Sequence, residues 1–338
     1  MGNAQTSAWH AAQPIPNEVI GAALDDAVSV YGGQIDGTSV PQGLFFMFRP
    51  STGTWTRLPS NPVPVHHAAL VAVGQRVYLI GGFKLPASGP ASWMPVRNVW
   101  SFDLATQRWA ALAPMPTARG ALAAVVVDHK MIYAIGGAML PRNDRHVALL
   151  ASWANEESSA TEEYDIASNS WRARSPMLTA RNHLDAAAIG RMIYAIGGRT
   201  GSAFSGGASS NVSANEAYDI VDDRWEPRAP LPTPRSGLEV VAVGGRMHAL
   251  GGEGYIGDFG GTFRTHESYD PQANTWRSEE RMPTPRHGFA IAVAGGRIFA
   301  ISGRNVPGGG GPAVDLTVNE VFEDAGARVA APTSPLSK

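Results

Sequence analysis

The sequence predicts an all-β ring: a six-bladed propeller with four antiparallel strands per blade, closed by the N-terminal strand. Three observations carry this. One apolar hairpin recurs six times and ends each time in a small-residue pair: Gly32-Gly33, Gly81-Gly82, Gly136-Gly137, Gly197-Gly198, Gly251-Gly252 and Ser302-Gly303. These ends lie roughly 50 to 60 residues apart, the repeat length of four-stranded propeller blades. Tryptophans recur after five of the pairs, at Trp55, Trp109, Trp171, Trp225 and Trp276. The last repeat lacks a fourth strand, and the N-terminus supplies one with no repeat of its own.

Residues 7–15 open the chain as that outer strand. Trp9 followed by Pro14-Ile15-Pro16 matches Trp276 followed by Met282-Pro283-Thr284-Pro285. Blade 1, near 17–58, has inner strands at 19–24 and 27–31, a third at 44–48 and a fourth around Trp55. Blade 2, near 66–112, has its third strand at 98–103. Blade 3, near 119–174, has it at 161–165. Blades 4 and 5, near 181–228 and 235–279, have it at 215–219 and 266–270. Blade 6, near 286–323, offers 289–293, 297–301 and 319–323, then stops. A ring closes so that no blade keeps an open edge, so the strand around Trp9 completes blade 6. The chain is one domain over 1–324. Residues 325–338, rich in Ala and Pro, form a loose tail.

Composition agrees. Apolar residues make up 44%, enough for a core, while charged residues are 17% and Gly (38) and Pro (25) are plentiful. Many short strands joined by tight turns need that mixture. The net charge of -2 gives no general attraction to nucleic acid or an anionic membrane. There is no cysteine, which excludes disulfides, thiolate metal sites and a cysteine nucleophile. No stretch is long and apolar enough to span a bilayer, and no signal peptide is evident. Met1-Gly2 runs almost directly into Trp9. That start fits a mature exported chain, periplasmic or secreted, ahead of a cytoplasmic one. A monomer is expected.

The glycine doublets, the spaced tryptophans and the endings Tyr164-Asp165, Tyr218-Asp219 and Tyr269-Asp270 resemble the kelch superfamily over nearly the whole chain. Blade 1 departs, with Phe48-Arg49-Pro50, and blade 6 has Ser302-Gly303. The resemblance implies the fold; function lives in sites grafted on it. The chain is similar to stand-alone bacterial kelch proteins, which include sialic-acid mutarotases, though only at the level of fold.

The connections between second and third strands are long: 34–43, 83–97, 138–160, 199–214, 253–265 and 304–318. They exceed ordinary hairpin loops and emerge on one face, with the turns leading into the innermost strands. Those lead-in turns hold Arg119, Arg181, Arg235 and Arg286 at one position, with Pro16 and Val65 in the other two blades. In kelch relatives the matching arginines lie at the channel mouth, so the resemblance implies contact with a ligand. Such a ring grips carboxylates, or it braces the turns by bonding carbonyls, and fourfold repetition favours bracing for most of its members.

Two residues further on the repeat breaks: Glu18, His67, Ala121, His183, Gly237 and Gly288. The residues between include His66, Asn182 and His287. A carboxylate and two imidazoles suit acid–base work near neutral pH, or a divalent metal with open positions, or hydrogen-bonded turns. The reading taken forward makes Glu18, His67 and His183 catalytic, with Arg119, Arg181, Asn182, Arg235, Arg286 and His287 binding an acidic or sugar-like ligand. No cofactor or metal is expected; a metal, if bound, would use Glu18, His67 and His183. Asp185 and Glu239 put carboxylates inside innermost strands, where Arg181 and Arg235 are expected to offset them. Loop aromatics Trp93, Trp153, Tyr255, Phe259 and Phe263 either roof a pocket or pack their own loops. The alternative function is a protein-interaction propeller whose partner meets the loop face.

Overall fold

The computed structural model describes residues 8–12, 19–24, 27–34, 40–87, 92–141, 148–149, 155–203, 209–256, 259–307 and 316–323. Glu18, Trp153, the glycine run at 308–311 and the 325–338 tail lie outside them, as do the side chains of Tyr255 and Phe259.

Six four-stranded antiparallel sheets form the blades. From the inside outward, blade 1 is Val19–Ala23, Val28–Gln34, Pro41–Arg49 and Thr54–Leu58. Blade 2 is Ala69–Val73, Arg76–Ile80, Val99–Asp103 and Arg108–Ala111. Blade 3 is Ala123–Val127, Met131–Ile135, Thr161–Asp165 and Ser170–Arg174. Blade 4 is Asp185–Ile189, Met192–Ile196, Asn215–Asp219 and Arg224–Pro227. Blade 5 is Glu239–Val243, Arg246–Leu250, His266–Asp270 and Thr275–Ser278. Blade 6 is Ala290–Ala294, Arg297–Ile301 and Asn319–Glu323, finished by Ala8–Ala12 from the N-terminus. Trp9 stands opposite Phe322 in that closing pair. The innermost strands touch in the order 1-2-3-4-5-6-1, which closes the ring.

The sequence motifs have specific structural tasks. The first glycine of four doublets has a left-handed backbone, with φ between 58° and 65° at Gly81, Gly136, Gly197 and Gly251. A Cβ on Gly81 would lie 2.6 Å from the carbonyl oxygen of Arg119 in the next blade. The second glycine donates its N–H to that same carbonyl: Gly82 to Arg119 at 3.0 Å, Gly137 to Arg181 at 2.9 Å, Gly198 to Arg235 at 2.9 Å and Gly252 to Arg286 at 2.8 Å. The doublet is therefore a blade-to-blade joint that a side chain would wedge open. The outer tryptophans make a second joint. Trp109, Trp171, Trp225 and Trp276 donate Nε1–H to Pro59, Ala113, Ser175 and Ala229 of the preceding blade at 2.8–2.9 Å. Trp9 makes the same bond to Glu280 at 3.0 Å. In the Tyr-Asp endings the aspartate caps the outer turn; Asp165, for example, accepts from Ala167 and Ser168.

The apolar core lies between blades. One cluster joins Val71, Ile80 and Val99 of blade 2 to Leu122, Ile132 and Tyr164 of blade 3. The long connections differ from the loops expected. Among the described residues, four of them continue as two-stranded ribbons, such as Arg199–Gly201 with Ser209–Asn211, and Glu253–Ile256 with Phe259–Thr262. The residue after each doublet is bridged to the lead-in turn of its own blade: Phe83 to His66, Arg199 to Asn182, Glu253 to Ser236 and Arg304 to His287. These bridges gather side chains of the ribbons and the lead-in turns at one end of the channel.

Candidate functional site

That end is a pocket open to solvent. Val19, Ile20, Tyr31, His66, His67, Ala121, His183, Gly237, Glu239, His287 and Gly288 are among the residues that line it. Its rim is a collar of main-chain hydrogen bonds. The N–H of Ala121 donates to His67 C=O at 2.8 Å, that of His183 to Ala121 at 2.9 Å, that of Gly237 to His183 at 2.9 Å and that of Gly288 to Gly237 at 3.3 Å. All five collar residues are left-handed, with φ of 51° at His67, 53° at Ala121, 51° at His183, 57° at Gly237 and 55° at Gly288. Non-glycine residues pay roughly 1–2 kcal/mol there. Blades 5 and 6 avoid that cost with glycine; blades 2 and 4 accept it and place imidazoles on the pocket.

The arginine ring is corrected by the structure. Arg119, Arg181, Arg235 and Arg286 are each 0% exposed and point into the blades. Each pairs with a glutamate of the third strand of its own blade: Arg119 with Glu162 at 2.8 Å, Arg181 with Glu216 at 3.1 Å, Arg235 with Glu267 at 2.6 Å, and Arg286 with Glu320. Backbone carbonyls take further donors, as when Arg235 Nε and Nη2 bond Gly251 at 2.7 Å and Ala249 at 2.9 Å. The guanidinium groups are therefore bracing, and they do not neutralise Asp185 or Glu239. Asn182 is corrected too. It is 0% exposed, its Oδ1 is used by His183, and its Nδ2 donates to Gly201 O at 3.3 Å.

His67 and His183 do converge, with ring centroids 5.1 Å apart. Their situations differ. Arg199 Nη2 donates to His183 Nε2 at 3.1 Å, so the His183 proton sits on Nδ1 and is donated to Asn182 Oδ1 at 2.7 Å. Both its ring nitrogens are engaged. His67 shares one hydrogen bond with His66, Nδ1 to Nδ1 at 2.6 Å, and the described residues offer no partner to its Nε2. Among the described residues, His66 Nε2 and His287 Nδ1 are buried without a partner; these residues are only 6% and 7% exposed. Native proteins seldom leave buried polar atoms unmet. Burial pushes His66 down to about 3. Burial first, then the nearby His66 and Arg199, hold His67 well below the ordinary histidine range. Burial, then Arg199 and His67, do the same to His183. The His66, His67 and His183 imidazoles are therefore held neutral at physiological pH and can accept protons only transiently.

Sequence reasoning missed Arg199 and Glu253. Arg199 bonds Glu253, Ser236 and the carbonyl of Ala203 besides His183, and Glu253 Oε2 lies 3.6 Å from His287 Nε2. The available signal was the position after the doublet, which varies between blades as Phe83, Ala138, Arg199, Glu253 and Arg304. Trp93 packs inward on Phe83 and His67, at 5.1 and 4.6 Å between centroids. Among the described residues no group of three His, Asp or Glu is placed to hold a metal ion, and Glu18 lies outside them.

The fold and its repeated joints define a kelch-type propeller with a polar pocket at one end of its channel. The chain belongs to the kelch-repeat family: the KLHDC2/KLHL20/DRC7 Kelch-repeats domain matches residues 3–198 and the Kelch motif matches residues 180–232. Kelch-like protein terF of Aspergillus terreus is 28% identical over 86% of this chain and 60% of its own length. Mouse Kelch-like protein 35 is 25% identical over 77% of this chain and 39% of its own length. The chain thus spans well under two thirds of the length of these relatives. The solved structure of YjhT superposes with a TM-score of 0.72 at 14% identity, covering 93% of this chain and 99% of that one. That likeness is one of fold.

Proposed function

We propose that the channel mouth binds a small, hydroxyl-rich, sugar-like ligand and exchanges protons with it, as an isomerase or mutarotase does. The observation that carries this is a set of imidazole nitrogens around one pocket: His66 Nε2 and His287 Nδ1, buried and unmet among the described residues, and His67 Nε2, to which those residues offer no partner. Neutral imidazoles both donate and accept, which suits hydroxyls. An acidic ligand is less favoured, because the four arginines expected to hold it are spent inside the blades. His67 is the base in this reading, and His183, Arg199 and Glu253 hold the wall that faces it. The similarity to sialic-acid mutarotases is one of fold and does not carry this reading.

The test is a thermal-shift screen of sugars and sugar acids. A ligand at a hundred times its Kd adds about 2.7 kcal/mol of stability. His67→Gly should keep the fold, because glycine already fills the collar in two blades, and should lose the shift. The kelch-like relatives favour a second reading, a protein partner on the ribbon face. Against a large apolar contact, Leu178 and Val221 are the exposed large apolar side chains among the described residues. Capture of a protein by the ribbon face, with no sugar shifting the melt, would establish the second reading.

A further inference from the structure

We propose that Glu239 is the proton donor of the mouth, opposite the base His67, with Asp185 as the positioning residue that keeps the proton on it. This rests on the proton-exchange reading above and supplies its missing acid. Glu239 and His67 line the same pocket. They belong to blades 5 and 2, which face each other across a six-membered ring. Glu239 also lines the channel beneath, where Asp185 of blade 4 sits beside it.

The fold does not require these carboxyls. At the same place in blades 2, 3 and 6 the innermost strand has Ala69, Ala123 and Ala290. Half-burying a carboxyl where alanine suffices is costly. Asp185 Oδ2 accepts the Val240 N–H at 2.6 Å. The Glu239 carboxyl lies beside it in the same channel, close enough for the two to act on each other electrostatically. Two ionised carboxylates side by side repel each other, so the pair holds a proton. Burial raises Asp185 as well, to about 7, but the Val240 N–H stabilises its charge, which leaves the proton on Glu239. Burial, then the Asp185 charge, accordingly push the Glu239 carboxyl well above its ordinary range. Asp185 is the charged group acting on it. An independent sign of a ligand is the pair of buried, unpartnered atoms His66 Nε2 and His287 Nδ1 on the same pocket wall.

A base and an acid on opposite sides of a sugar suit exchange at a hemiacetal carbon. His67 Nε2 takes the proton of the anomeric hydroxyl while Glu239 gives its proton to the ring oxygen. The ring C–O bond breaks and the anomeric carbon becomes a carbonyl. After rotation about the adjacent C–C bond, the freed hydroxyl attacks the other face of the carbonyl. Its proton returns to Glu239, and the carbonyl oxygen recovers a proton from His67. The anomer is inverted, both groups are restored, and no co-reactant is consumed.

The experiment is anomeric exchange by saturation-transfer NMR, with D-galactose and N-acetylneuraminate as probes and the melt of each variant as control. Wild type should accelerate exchange of at least one probe. Glu239→Gln is neutral, like the protonated acid, and should melt like wild type, but lose about 10²-fold or more of the acceleration. Asp185→Asn should move the alkaline limb of the rate profile to lower pH, because Glu239 then loses its proton more easily. Glu239→Gln at wild-type rate, or Asp185→Asn slow without any shift of the profile, overturns the proposal and leaves the mouth reading standing. A wild type inert to both probes removes the mouth reading and the proposal together.

Discussion

The backbone N–H of His183 donates to the carbonyl of Ala121 at 2.9 Å, joining two left-handed residues of neighbouring blades. The same bond links His67 to Ala121 and His183 to Gly237. The left-handed backbone therefore belongs to the collar, whatever the side chain. The histidine side chains are additions that the fold itself does not need.

A first prediction follows at the collar. Gly237→Ala should destabilise by roughly 1–2 kcal/mol, since alanine must adopt φ near 57°. The space is adequate, the nearest side-chain atom to a new Cβ being 3.5 Å away on His287. His67→Gly should not destabilise by more than about 1 kcal/mol. Urea unfolding of the two variants checks both.

The arginines predict stability effects in place of binding effects. Arg235→Ala leaves Glu267 buried and unpaired and should cost about 3–5 kcal/mol. Replacing both Arg235 and Glu267 by apolar residues of similar volume should recover most of that loss. Denaturant midpoints measure it, and a single variant as stable as wild type would remove the bracing role.

Most of the fold was legible because the joints repeat. The glycine doublets, tryptophans and Tyr-Asp turns are the bonds between and within blades, so spacing alone located strands and closure. The arginines were misplaced for want of their partners. The arginine is missing in blades 1 and 2, where the third strand has Phe46 and Trp100 in place of Glu162, Glu216, Glu267 and Glu320. That joint variation was visible and marks a pair. The engagement of His183 by Arg199 was not visible, because it depends on a ribbon folding back from the doublet.

Closure predicts a third outcome. Removing residues 1–12 takes away the strand paired with Asn319–Glu323 and the Trp9 bond to Glu280. The truncated chain should aggregate or melt far lower, because an edge is exposed. A melt equal to that of the full chain would disprove the closure.

The histidines predict acid sensitivity. His248 Nδ1 lies 2.9 Å from His266 Nε2 at the closing seam, and the His266 ring packs on Phe322 at 4.6 Å and Trp9 at 6.0 Å. Burial first, then His248, hold His266 well below its ordinary range. The sign follows from proton uptake: below about pH 6.5 the unfolded chain binds protons that the folded chain refuses. Stability is therefore full above that pH and falls as pH drops. For His66, lowered to about 3, the loss between pH 7 and 5 is about 2 kcal/mol. Urea unfolding at the two pH values should show a loss of that size or larger, and His266→Gln should reduce it.

The most direct test of the mouth is nitrogen NMR of the protein with ¹⁵N-labelled histidine, titrated with the sugar that shifts the melt. The seam pair His248 and His266 serves as an internal control. The account predicts that the ring nitrogens of His67 and His287 move while those of His248 and His266 stay in place. Unmoved His67 signals at saturating sugar, or equal movement at the seam, would contradict it.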